Sequence, residues 1–120
     1  MVPGPLDGAL GALGEAAVLA DAGYGVLLVD LPGYGASEGN RAWDDRFVES
    51  IVKAIDFASA QPDIDPRRIG GFGYSNGGCL IARAAAADDR LAAIGLLASY
   101  TTLADQLHAA FGRRRTPLLG

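Results

Sequence analysis

Nine residues of this chain, Gly70-Gly71-Phe72-Gly73-Tyr74-Ser75-Asn76-Gly77-Gly78, set five glycines around one serine. Residues 73 to 77 read Gly-x-Ser-x-Gly. A hydroxyl raised on a sharp strand-to-helix turn is the arrangement in which serine serves as a nucleophile. Such a turn holds the serine in a strained backbone conformation. Side chains two residues to either side would collide there, so glycine is expected at Gly73 and Gly77, with Gly78 easing the approach of the helix. The backbone N–H of Asn76, at the start of the new helix, would face the oxyanion formed when Ser75 attacks a carbonyl. In a chain with 17 glycines the pattern alone arises readily, and its weight comes from its neighbours.

Those neighbours read as alternating strands and helices, an α/β pattern. Residues 24–31, "YGVLLVDL", form a continuous apolar run closed by Pro32 and Gly33, as expected of a strand buried on both faces of a parallel sheet. Residues 67–73 and 91–99 supply two further strands. Between the first two, Trp43, Phe47, Ile51, Ala54, Ile55 and Ala58 recur at helical spacing, with Asp44 and Asp45 in the first turn where the helix dipole favours negative charge. Leu6, Leu10, Leu13 and Ala17 form a weaker stripe ending near Gly23. Ala84 to Ala87 suit a helix packed closely on the sheet behind Ser75.

At 120 residues the chain has the size of one domain, read here as a single partial domain over 1–120. A formal charge of −4 provides no electrostatic footprint for nucleic acid or an anionic membrane, and no apolar run approaches the ~20 residues that cross a bilayer. A cytoplasmic protein acting on small molecules, without nucleic acid or membrane, is the expectation. The single cysteine, Cys79, leaves no internal disulfide and no cysteine-built zinc site, and no metal or cofactor is expected. A dinucleotide site is the rival reading, since Gly71, Gly73 and Asn76 approximate G-x-G-x-x-G. The third glycine is missing, and the following strand ends in Ala98 and Ser99 rather than an acid.

Taken together, "AGYGVLLVDLPGYGASEG" (22–39), "PDIDPRRIGGFGYSNGG" (62–78) and "RLAAIGLLASY" (90–100) resemble the α/β-hydrolase superfamily, in particular its serine hydrolases and aminopeptidase-like esterases. The resemblance implies a partial α/β-hydrolase core: a mostly parallel sheet flanked by helices, with three strands and an N-terminal stub. It implies hydrolysis of an ester, amide or thioester through an acyl-Ser75 intermediate, with an acyl compound as substrate. It also implies an acid and a histidine on loops after later strands, for which 45 residues beyond Ser75 leave too little chain. This chain looks truncated against the family, and inactive or weakly active as it stands.

The sole histidine, His108, lies in a segment where Thr102 and Asp105 form a capping box and Leu103, Leu107 and Phe111 share a face. Residues 101–112 therefore read as the start of a lid helix, with Asp105 and His108 a displaced acid and base only if the imidazole reaches Ser75. The family's second oxyanion donor falls in "MVPGPLDG". Pro5 has no N–H, and Leu6 is the nearest substitute. The family's strand order leaves a gap between residues 26–31 and 69–73, so either residues 1–5 pair there as a stub or the sheet closes up. Asp30 and Asp65 precede Ser75 and read as turn and strand-end residues; Cys79 reads as a small core residue, and Arg113 to Arg115 as a solvated helix terminus. The alternative function is a non-catalytic remnant or interaction module associating through open sheet edges, itself included as partner.

Overall fold

The structure is a computed structural model and describes residue 1, residues 8–41 and residues 44–99. A 3-10 turn at Ala9–Ala12 runs into α1 (Leu13–Asp21), followed by an extended segment, α2 (Asp45–Ser59), β1 (Ile69–Tyr74), α3 (Asn76–Ala87) and β2 (Leu91–Leu97). The two strands form a parallel pair, Gly70 opposite Ala93 through Tyr74 opposite Leu97, with one irregularity between Ile69 and Gly70. Together with the crossover helix α3 this is one β-α-β unit, the building block of a partial α/β fold.

The best-formed helix is α2, for two local reasons. Asp44 caps it, its carboxylate accepting the Arg46 N–H at 3.0 Å. Phe47, Ile51 and Ile55 then recur every four residues and are all buried. They meet Leu80, Ile81 and Ala84 of α3, with Leu31 and Tyr34 closing the core. The Tyr34 ring stands edge-on to Phe47 at 6.1 Å between centroids, and the Arg41 guanidinium lies 4.5 Å from the centre of its ring.

Two sequence expectations change. Residues 24–31 are extended, and the ladder-type pairing of their backbone among the described residues is with Met1: the Met1 nitrogen donates to Leu27 O at 2.8 Å and Val29 N–H donates to Met1 O at 3.2 Å. This alternation between residues 27 and 29 is the parallel-ladder pattern. The N-terminal stub is thus present at Met1, with residues 2–5 outside the described residues, and the sheet has not closed up. An apolar slot remains between Leu27 and Val29 on one side and Ile69 to Gly71 on the other, floored by α2. A strand is defined by its ladder, and the apolar run had no neighbour to complete one.

The second change concerns the N-terminal stripe. Leu10 is 77% and Leu13 52% exposed, while Ala12 and Ala16 are buried in their place. Among the described elements α1 packs only on its own 3-10 turn, so no sheet face exists to draw the leucines inward. The expected stop is where the sequence put it, with Gly23 at φ 91° just past the helix. The single-domain boundary and the lid start at 101–112 rest on residues that include 100–120, outside the described residues.

Candidate active site

Ser75 occupies the one-residue corner between β1 and α3, with φ 53° and ψ −122°. That is the left-handed side of backbone space, where a residue with a Cβ is strained by about 1–3 kcal/mol. Two backbone bonds hold it there. Its N–H donates to Leu97 O at 2.8 Å, continuing the β1–β2 ladder one residue past the strand, and its carbonyl accepts from Gly78 N–H at 3.0 Å, opening the helix. The strain follows from requiring one residue to end a strand and begin a helix.

The flanking glycines explain how so sharp a corner closes. A Cβ on Gly73 would lie 2.5 Å from both the Gly77 carbonyl carbon and the Gly78 nitrogen, so strand and helix backbones touch directly. Gly77 and Gly78 are both buried, and Gly78 lies beneath the Ser99 side chain at the end of β2. Asn76 is the first residue of α3, where a backbone N–H has no intrahelical acceptor and the helix dipole is positive. The Ser75 hydroxyl and the Asn76 N–H are therefore neighbours at the C-terminal edge of the sheet.

The structure assigns Asp30 a task that the sequence did not disclose. Its carboxylate accepts the Ala9 N–H at 2.5 Å and the Ala36 N–H at 3.0 Å, and its carbonyl accepts the Ser37 hydroxyl at 2.7 Å. Asp30 thus ties the segment entering the 3-10 turn to the loop that follows the extended run. Gly35, at φ 52°, leaves its own Cβ position to that carboxylate. The signal was the Pro-Gly-x-Gly spacing after Asp30, which demands a folded loop needing an anion to gather its amides. Asp65 behaves as a turn residue, as expected: its carboxylate accepts the Arg67 N–H at 3.0 Å, and the Arg67 guanidinium beside it holds its pKa below the ordinary carboxylate value. A second strained residue, Ala98 at φ 49°, directly follows β2 and precedes Ser99.

Of the remaining candidates, Cys79 touches this corner through its backbone, its N–H donating to the Ser75 carbonyl at 3.4 Å. Leu6, Asp105 and His108 lie outside the described residues, as do Arg113 to Arg115. Cys79 is half-buried on α3. Among the described residues no group of three or more His, Cys, Asp or Glu side chains could hold a metal ion, and no helix is long and apolar enough to cross a membrane.

Comparison with known proteins places the chain. The family model of the X-Pro dipeptidyl-peptidases (S15 family) matches residues 7–117. A polyketide transferase of Stachybotrys chlorohalonatus, ATR5, is 41% identical over 71 residues, which is 57% of this chain and 24% of that protein. YtaP of Bacillus subtilis, provisionally named a hydrolase, is 33% identical over 87 residues, 61% of this chain and 29% of its own length. An uncharacterised 31.7 kDa protein of Escherichia coli is 38% identical over 79 residues, 62% of this chain and 27% of that protein. The matched region is under a third of each of these relatives.

Proposed function

Because the chain belongs to the S15 family of X-Pro dipeptidyl-peptidases, a family of α/β-hydrolase-type serine peptidases, we propose that its chemistry is acyl transfer through Ser75. The observation that carries this reading is the backbone of Ser75, strained at φ 53° on the strand-to-helix corner beside the Asn76 N–H. Strain at such a corner costs stability, a cost that backbones carry at functional sites. In the proposed step the Ser75 Oγ attacks the substrate carbonyl carbon and its proton passes to a base. The carbonyl oxygen takes up negative charge against the Asn76 N–H, with Leu6 N–H as the proposed second donor. The leaving group departs protonated, and water attacks the acyl-Ser75 ester to release acid and restore the hydroxyl. A hydrolase name and a transferase name among the relatives are both compatible with this scheme, since an acyl-serine ester can be passed to water or to another acceptor.

For the base, Asp105 and His108 are the one acid–imidazole pair within a helical turn in the segment after β2. The proposal gives them a lid helix over 101–112 rather than a triad, and so expects slow turnover from the 120-residue chain. A fluorophosphonate probe, followed by peptide mass mapping, tests the assignment. Labelling at Ser75 that disappears in Ser75→Ala and persists in His108→Ala is the expected result. Absence of labelling in a folded chain would favour the non-catalytic interaction module. Rapid ester turnover abolished by His108→Ala would instead make Asp105 and His108 the acid and base.

A further inference from the structure

Two residues that carry a side chain adopt positive φ among the described residues, Ser75 at 53° and Ala98 at 49°, and one carbonyl joins them. Leu97 O accepts the Ser75 N–H at 2.8 Å and also the Ser99 hydroxyl at 3.3 Å. That carbonyl belongs to the planar Leu97–Ala98 peptide, so the orientation of the plane fixes both where Leu97 O points and the φ of Ala98. The present orientation strains Ala98. A half-turn of the plane would carry Ala98 from the left-handed region to the extended region, which a residue with a Cβ prefers. The same half-turn would take Leu97 O off the Ser75 N–H. The backbone bond that fixes the Ser75 corner is therefore made by a peptide that its own strain drives away.

The residue that follows opposes this half-turn. Ser99 is half-buried, and its Oγ occupies the place that a Cβ on Gly78 would take, beside the first turn of α3. The Gly73 carbonyl oxygen lies 3.1 Å from the same point, so the notch is bounded by strand and helix together. Seated there, the hydroxyl donates to Leu97 O. Gly78 is thus required by Ser99 as well as by the approach of helix to sheet. We infer that Ser99 is a positioning residue for Ser75: its hydroxyl, lodged over Gly78, keeps the strained Leu97–Ala98 peptide turned toward the Ser75 N–H. The inference rests on the acyl-transfer reading for what the fixed corner is used for, and on backbone geometry alone for how the corner is fixed. Ser99 in this role takes no part in the bond changes at the carbonyl carbon. It holds the Ser75 Oγ and the Asn76 N–H in one register.

The test is a double-mutant cycle on Ala98 and Ser99, read by hydrogen exchange and by the rate of fluorophosphonate labelling. Ser99→Ala is expected to speed exchange of the Ser75 amide at least about tenfold relative to the Gly73 amide two residues earlier. Labelling of Ser75 should slow at least about fivefold, since a small misplacement of a reacting group is costly. Ala98→Gly removes the strain, because glycine accepts positive φ freely, and by itself should leave both readouts at the parent's values. In that background Ser99→Ala should change either readout by less than about threefold. Equal effects of Ser99→Ala in the two backgrounds would overturn the inference, as would exchange that accelerates at Gly73 and Ser75 alike, which would make Ser99 a packing residue only. The expected exchange pattern with no labelling of any chain, parent included, would uphold the positioning role and count instead against acyl transfer at Ser75.

Discussion

Gly73 and Gly77 meet backbone to backbone, so closely that a Cβ on residue 73 would stand 2.5 Å from the Gly77 carbonyl carbon. The listener to this contact is the corner at Ser75, since strand and helix cannot separate without lengthening the turn between them. Gly73→Val is therefore expected to destabilise the chain by about 3 kcal/mol or prevent folding, with Gly73→Ala intermediate. Urea unfolding followed by circular dichroism reads the difference. Full tolerance of valine would show that the two backbones are not locked together.

Ser75 separates strain from chemistry. Its φ of 53° suits glycine and penalises any residue with a Cβ, so Ser75→Gly should stabilise the fold by about 1 kcal/mol. Ser75→Ala keeps the Cβ and should leave the melting midpoint within about 2 °C of the parent. Both should abolish labelling by a fluorophosphonate. If glycine were no more stable than alanine, the strain attributed to this corner would be absent.

Asp30→Ala removes the acceptor of the Ala9 and Ala36 amides together. Hydrogen bonds to a charged group contribute about 1.5–3 kcal/mol, and the expected loss is about 2–3 kcal/mol overall because these sites are partly reached by water. Hydrogen exchange at Ala9 and Ala36 should accelerate at least about tenfold, while amides within α3 follow only the global change. Unaltered exchange at Ala9 would mean that the 3-10 turn is held by something else.

Arg90 joins three segments: its guanidinium reaches Asp88 at 2.5 Å and Asp56 of α2 at 2.7 Å. The Arg90 hydrogen bonds hold the Asp88 carboxyl down to about 2, from 3.8. A carboxylate with a lowered folded-state pKa contributes stability above its unfolded value, and that contribution disappears as pH falls from about 4 to about 2. Arg90→Met should melt a few degrees below the parent at pH 7, and the two should converge as pH approaches 2. A constant difference between pH 7 and pH 2 would assign the effect to the arginine's packing.

The strand-to-helix corner at Ser75 was legible in one dimension because its constraints are local. Gly73-x-Ser75-x-Gly77 is a steric statement about five consecutive residues, and Asp44 followed by Phe47, Ile51 and Ile55 is a cap and a face set by helix geometry. Residues that must satisfy their neighbours in sequence announce themselves there. The anchoring by Asp30 was not legible, since its amide partners lie 21 residues before it and six after it, and only the folded loops bring them to one carboxylate. The apolar run 24–31 carried the composition of a strand, yet a ladder needs a second backbone about 4.8 Å away, which local sequence cannot supply. Leu10 and Leu13 carry a helical stripe, and whether it is buried depends on a packing surface that α1 does not meet among the described elements. Backbone conformation at a tight turn is thus determined by which atoms lack room within a few residues. Burial and pairing were decided only by the tertiary structure, because they depend on what stands opposite.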